Sequence, residues 1–397
     1  MERRFRLSLW GIIGLGVVVA TVIAAFSQGD PYDMESFRLV RDALGHGALD
    51  VYSTFAHGGV IRWPYPPALF PWIYVAGRAA AFGGPSFEFM VRMPTILADA
   101  GIAWIVQDFL GRSGKSPQIR LLATALVSVG PSFLVIAGYH GQFDALAILP
   151  GTLAVSLWSR TDAPPWRAVA VGLLIGLGGA LKTVPLLLVL ALLPTARSKR
   201  EGVTLLLAAA LPVVLCFLPF AIAGTLPAAR VLSYRGLPGV GDLSLAAQPD
   251  LAELALAFGS PRASGLTQLL IAHGNLVVAL GLLSVIGVGA RTRSPAPQMA
   301  VLLWLAVYAF GLNFFFQYLV WGLPFFLMAG YVRPVLITQL VLIAPTLLFY
   351  LRPWHHMIVV VVYATLMITL WVVALGGFLL LAVRLGHHRG ATGAYQS

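Results

Sequence analysis

Leu7-Ser8-Leu9-Trp10-Gly11-Ile12-Ile13-Gly14-Leu15-Gly16-Val17-Val18-Val19-Ala20-Thr21-Val22-Ile23-Ala24-Ala25-Phe26 contains no charge and follows Arg3, Arg4 and Arg6. A helix of about 20 residues rises about 30 Å, the thickness of a bilayer's hydrocarbon core. A basic start and an apolar body would also suit a secretion signal. The body is long, however, and no small-x-small cleavage site follows, so the stretch reads as an uncleaved first span. Comparable runs recur at 88–109, 119–137, 142–159, 167–180, 183–194, 202–222, 265–289, 298–313, 318–330, 334–350 and 356–384. They predict an all-α polytopic transmembrane helix bundle, about 12 spans in a single domain over 1–397. Hydropathy is continuous within each run rather than alternating, which excludes a membrane β-barrel.

Composition agrees. Of 397 residues, 59% are hydrophobic and 10% charged, with a mean hydropathy of +0.86. A water-soluble domain carries roughly 25% charged residues, so this chain lacks the polar surface to face water all round. The net charge of +11 does not imply nucleic acid. Lys and Arg collect in the cytoplasmic loops of membrane proteins, and no basic run here makes a recognition patch. Cys216 is the one cysteine and has no internal disulfide partner.

The basic connectors set an orientation. Arg112 with Lys115, Arg160 with Arg167, Arg197-Ser198-Lys199-Arg200, Arg291 with Arg293, and Arg333 fall on one side when both termini are cytoplasmic. Counting 66–82 as a span would push Arg112 and Lys115 outside, so it reads as an interfacial or re-entrant helix. Segments 167–180 and 183–194 are short for a crossing and read as a hairpin that stops partway, with Lys182-Thr183-Val184-Pro185 at its outer tip. Shortened helices are tolerated where protein or a wet cavity covers their ends. Two long external loops remain, 27–87 and 223–264. No internal repeat occurs, which weighs against transporters built from two similar halves.

Polar groups gather on the outer side. Gly29-Asp30-Pro31-Tyr32-Asp33-Met34-Glu35-Ser36-Phe37-Arg38 follows the first span directly. Met34, Phe37, Val40 (or Arg41) and Leu44 share a helical face suited to lying along the membrane surface. Asp30 before Pro31 has the pattern of a helix N-cap, with Asp33 completing a capping pair. Either carboxylate could instead serve as a general base, kept ionised by the helix N-terminus. Trp63-Pro64-Tyr65-Pro66-Pro67-Ala68-Leu69 is a rigid helix entry whose Trp63 and Tyr65 could also stack on a sugar or prenyl chain. Gly138-Tyr139-His140-Gly141-Gln142-Phe143-Asp144 is a polar turn whose His140, Gln142 and Asp144 need partners at a membrane boundary.

Arg92, Lys182 and Arg235 are isolated cations on the side that positive-inside sorting disfavours. Snorkelling to headgroups is one account, and a shared anionic ligand such as a phosphate is the other. Asn313-Phe314-Phe315-Phe316-Gln317-Tyr318-Leu319-Val320-Trp321-Gly322-Leu323-Pro324 reads as an aromatic interface belt, with Asn313 and Gln317 as cavity-lining candidates. His355 and His356 lack the companions of a full metal site. No glycine-rich phosphate loop or serine-nucleophile motif occurs.

Four of these stretches, in order, resemble the integral-membrane glycosyltransferases of the GT-C superfamily. Asp33-Met34-Glu35-Ser36-Phe37-Arg38 resembles that family's G-D-x-E-x-x-R run, and Tyr65-Pro66-Pro67-Ala68-Leu69 its Y-P-P-L segment. Arg92 through Ala98-Asp99 resembles a span that opens with Arg and contains Ala-Asp, and Tyr139-His140-Gly141-Gln142-Phe143 the H-G-x-F turn. The likeness is greatest to asparagine-linked-glycan glucosyltransferases and related bacterial mannosyltransferases. It implies inverting transfer of a sugar, mannose first, from a polyprenyl-phosphate carrier to a glycan, glycolipid or protein acceptor outside the plasma membrane.

By this resemblance Asp33 is the catalytic base, with Asp30 as the fallback. Arg92, His140, Lys182 and Arg235 hold the donor phosphate, while Glu35, Arg38, Tyr65 and Gln142 bind substrate; Gln317, as a cavity-lining residue, is a further substrate-binding candidate. No cofactor is required, although a divalent metal serves some relatives. The main rival is a secondary transporter, for which Asp99 and Asp108 are the mid-span carboxylates to consider. An envelope flippase or polymerase-ligase would carry its dominant loop late in the chain. A purely structural subunit leaves the outer carboxylates and cations without a role.

Overall fold

The computed structural model describes residues 2–47, 51–54, 63–162, 164, 166–225, 231, 240–241, 269, 272–312, 314–351 and 357–393. Among them every regular element is helical. Seven stretches are long and apolar enough to cross a membrane: Arg3–Phe26, Phe87–Arg112, Pro117–His140, Lys199–Ile222, Gly274–Thr292, Val332–Tyr350 and Val361–His387. Asp144–Trp158, Arg167–Leu181, Val184–Thr195, Ala296–Phe310 and Phe316–Met328 are apolar but shorter. Length and composition make this a multi-pass helical membrane protein. Arg235, Asn313, His355, His356 and most of 223–264 lie outside the described residues.

Contacts divide the chain into two compact units, 1–189 with 198–234 and 330–332, and 190–197 with 235–329 and 333–397. The first contains α1 (Glu2–Phe26), α2 (Pro31–Gly45), α3 (Phe70–Ala81), α4 (Phe87–Arg112), α5 (Pro117–Ser128), α6 (Asp144–Trp158), α7 (Arg167–Leu181) and α8 (Lys199–Ile222). Helix α4 is its centre and packs on α1, α3, α5 and α6, while α7 lies between α6 and α8. Gly172 and Gly176 explain the last contact. A Cβ on Gly172 would lie 2.6 Å from the Leu205 carbonyl, and one on Gly176 would run into that of Ala209. This small-xxx-small spacing lets two backbones meet. Within α4, Pro94 cannot donate to the Met90 carbonyl. The Trp72 indole of α3 donates there instead, at 3.1 Å.

Stretch 66–82 forms a short turn, Pro67–Leu69, that leads into α3 after an extended Pro66. Helix α2 is amphipathic as predicted, but protein rather than lipid covers its apolar face. Met34, Phe37 and Val40 are buried in one cluster with Trp63, Ile73, Phe87 and Phe143. Each contributes roughly 2 kcal/mol by leaving water. Trp63 is likewise core rather than a stacking platform for a ligand, because its ring lies against Phe143 with centroids 5.7 Å apart.

The second unit contains α9 (Gly274–Thr292), α10 (Ala296–Phe310), α11 (Leu319–Met328), α12 (Val332–Val341, from its second residue), α13 (Ile343–Leu351) and α14 (Met357–Gly393). Helix α10 is its core. Trp304 stacks on Phe325 at 6.1 Å, and the Tyr308 hydroxyl lies 3.2 Å from the Tyr318 and Leu319 carbonyls. The aromatic stretch read as an interface belt therefore packs inward: Phe314, Phe316 and Trp321 are all buried.

Candidate functional site

The site grows from the start of α2. Asp30 has an extended backbone, and its Oδ1 accepts the N–H groups of Tyr32 at 3.0 Å and Asp33 at 3.4 Å, with Pro31 at the first helical position. Asp30 is thus the N-cap predicted from the sequence. Asp33 does not complete a capping pair, because the Asp30 N–H is taken by the His140 carbonyl at 3.1 Å. The Asp33 carboxylate instead meets His140 Nε2. Burial by itself raises the Asp33 carboxyl. Charge from His140, hydrogen bonds from His140 and Gln142, and the more distant Lys182 outweigh it and hold Asp33 below the usual carboxylate range. Asp33 keeps 16% of its side chain exposed, whereas His140 is at 5%.

His140 closes a π-helical turn, Val135–His140, followed by Gly141 at φ +91°. Such turns are uncommon and concentrate at functional sites. Only glycine suits this position, because a Cβ here would be in a left-handed backbone and would strike the Met34 methyl. This places α2 directly beneath the His140 turn.

Arg92 ties these pieces together. It is fully buried, and its Nε donates to the Glu88 carbonyl at 2.7 Å. One terminal nitrogen donates to Ser27 Oγ at 2.7 Å and the Gly138 carbonyl at 2.8 Å. The other donates to the Ala24 carbonyl at 2.8 Å and that of Ser27 at 2.7 Å. A guanidinium has five N–H groups, and each here has an acceptor within the chain. The cation caps the carbonyl end of α1, where positive charge is favoured, and pins it to the turn that carries His140. This occupancy argues against Arg92 as a phosphate ligand.

Lys182 stands at the end of α7, buried, with Nζ 2.5 Å from Asp144 Oδ1 and 3.3 Å from Gln142 Oε1. The rings of Tyr65 at 4.8 Å and Phe143 at 5.3 Å flank the ammonium. Gln142 also reaches the Tyr65 hydroxyl at 3.5 Å. A continuous polar track therefore runs Asp33–Gln142–Lys182–Asp144, with His140 at one end and Tyr65 alongside.

Glu35 and Arg38 stand apart from this track. At 100° per residue they point well away from Asp33 on α2. Arg38 pairs with Glu88 at 2.8 Å and Glu35 at 3.6 Å, which fastens α2 to the start of α4. Gln317 is in the second unit, buried, and its Oε1 has no hydrogen-bond partner among the described residues. Asp144 was read from the sequence as a polar group in need of a partner but given no role, and Glu88 was not singled out. Their partners lie 38 and 50 residues away, and no local pattern announces such pairs.

Asp30, Asp33 and His140 place one ligand atom each within 4.8 Å of one another. Two carboxylates and an imidazole suit a divalent cation. Here the same atoms are turned on one another and on backbone N–H groups, so a cation would have to displace the His140–Asp33 contact.

No protein-family model matches this chain, and no curated protein does. The site is therefore read from its own geometry: a partly exposed carboxylate held below the usual carboxylate range in the first turn of α2, and a buried ammonium one glutamine away. Deeper in that unit, Asp99 is buried midway along α4, and its Oδ1 has no hydrogen-bond partner among the described residues.

Proposed function

We propose that this protein is an inverting membrane glycosyltransferase of the GT-C type. It moves a sugar, mannose first, from a polyprenyl-phosphate carrier to an extracytoplasmic glycan, glycolipid or protein acceptor. The observation that carries the reading is the Asp33 carboxylate, depressed and partly exposed, on the track that leads to Lys182. Asp33 is the base rather than Asp30, whose Oδ1 is committed to two backbone N–H groups. It takes the proton of the acceptor hydroxyl as that oxygen attacks the anomeric carbon from the face opposite the lipid phosphate. The glycosidic bond to phosphate breaks, and Lys182 stabilises the departing phosphate charge. Asp144 holds the Lys182 ammonium in place until the phosphate arrives. Arg92 positions the machinery by locking the His140 turn against α1.

In this reading the five shorter apolar helices complete about 12 crossings, both termini are cytoplasmic, and the site faces outward from the plasma membrane. Gln317 and Arg235 remain substrate-binding candidates, while Glu35 and Arg38 act on the outer surface of α2. A single displacement with Asp33 as base demands no metal; a divalent cation, if used, would be held by Asp30, Asp33 and His140. The test is transfer of radiolabelled sugar from a panel of polyprenyl-phosphate sugars in membranes holding wild type or Asp33→Asn. Loss of more than about a hundredfold in the variant, with normal insertion, supports the reading. Transfer that survives Asp33→Asn but fails in Asp30→Asn moves the base.

A second reading, a proton-coupled transporter, draws on Asp99. It requires substrate uptake that Asp99→Asn abolishes, with no sugar transfer from any donor.

A further inference from the structure

The cytoplasmic end of α1, as oriented here, carries a feature that the proposed transfer does not use. Arg3, Arg6, Leu7 and Trp10 line an open recess of about 360 Å³. Spacings of three and four residues put all of them on one helical face, with the two guanidiniums at its outer end. Leu7 and Trp10 lie deeper, Trp10 about 10 Å along the axis from Arg3 at 1.5 Å per residue. Trp10 is not loose. Its ring stacks on Trp104 of α4 with centroids 4.9 Å apart and planes 15° from parallel, so the recess has one rigid wall. The neighbouring turn is also fixed, because the Arg120 guanidinium sits 4.4 Å over the Phe5 ring.

We infer that this recess binds an anionic phospholipid, its headgroup phosphate between Arg3 and Arg6 and the first carbons of an acyl chain along Leu7 and Trp10. Three observations support this occupant. The charge is complementary, since both ionisable lining residues are arginines, which fork onto phosphate oxygens. The polarity is graded along the helix in the same order as in a phospholipid: charged head, amphipathic indole, hydrocarbon. The rest of this helix is apolar, and only 28% of its most apolar window is buried inside the protein, so lipid already covers the adjoining surface. A free phosphate or an acidic peptide would fill the charged end and make no use of Leu7 and Trp10. Arg4 is not part of the lining, so it supplies an internal control, a charge lost from the same turn but outside the recess.

The test uses the full chain in nanodiscs with lipids brominated on the acyl chain near the headgroup, which quench tryptophan on contact. In phosphatidylcholine discs doped with brominated phosphatidylglycerol, quenching should saturate at a dose about thirtyfold lower than with brominated phosphatidylcholine. The margin follows from two arginines at a membrane surface. Arg3→Gln with Arg6→Gln should remove that preference, Arg4→Gln should keep it, and Trp10→Phe should delete the quenched component. Inorganic phosphate and glycerol phosphate at millimolar concentration should not compete. Four outcomes would overturn the inference: equal preference in the double variant, equal loss with Arg4→Gln, an unchanged quenched component in Trp10→Phe, or competition by free phosphate. None of these readouts depends on sugar transfer, so failure here and failure of the proposed activity are told apart.

Discussion

Replacing Arg92 with Met separates a clamp from a ligand-binding cation. The substitution keeps an unbranched apolar stem in α4 and removes every donor. The bonds to Ala24 and Gly138 are fully buried, and both carbonyls then lose their partner where water does not reach. An orphaned buried acceptor costs about 1–3 kcal/mol, so the two together give roughly 4 kcal/mol before the partly buried Ser27 contacts are counted. That corresponds to a fall in melting temperature on the order of 10 °C. The assay is thermal unfolding of purified protein in one detergent, read by tryptophan emission. Arg38→Gln is the scale bar, because it breaks a half-exposed pair worth below about 1 kcal/mol. Arg92→Lys should fall between, since an ammonium keeps the charge but cannot span the acceptors from α1 and the His140 turn. If Arg92→Met melts within about 2 °C of wild type while only the KM for the donor rises, Arg92 is a phosphate ligand and the clamp argument is wrong.

Other outcomes follow from the same geometry. The depressed Asp33 carboxyl favours the folded state above its unfolded value of 3.8, and this contribution drains away as pH falls through the lower folded value. Melting temperature plotted against pH should therefore fall on acidification below about 4 in wild type and stay flatter in Asp33→Asn. His140→Gln should move the acid limb upward, and an unmoved limb would dissociate the two residues. Lys182→Met alone strands the Asp144 carboxylate and should cost about 3–5 kcal/mol, whereas Lys182→Met with Asp144→Leu should recover most of that loss. Additive melting shifts in that cycle would show that the pair is not coupled. Gly141→Ala should lower the melting temperature by several degrees and, where transfer is measured, lower kcat more than KM, because it strains the turn that holds His140. An unchanged kcat in that variant would detach the turn from the chemistry.

The sequence by itself determined the solvent of this protein and the start of α2. Long uncharged runs such as 7–26 leave the backbone no option but helix, because lipid offers no hydrogen-bond partner. The N-cap at Asp30 was equally legible, since Asp before Pro acts over three residues. Tertiary structure alone decided what covers the apolar face of α2, because periodicity marks which residues hide and not what hides them. It also set Asp33 against His140 while tying Asp30 to backbone N–H groups, and gave every Arg92 donor a backbone or serine acceptor while setting Lys182 beside Gln142 and Asp144. The His140 carbonyl, Gln142 and Asp144 reach the start of α2 and the end of α7 only after the helices pack. A lone arginine beside a span looks like a phosphate ligand in sequence; its acceptors in Ala24, Ser27 and Gly138 exist only once α1, α4 and the π turn meet.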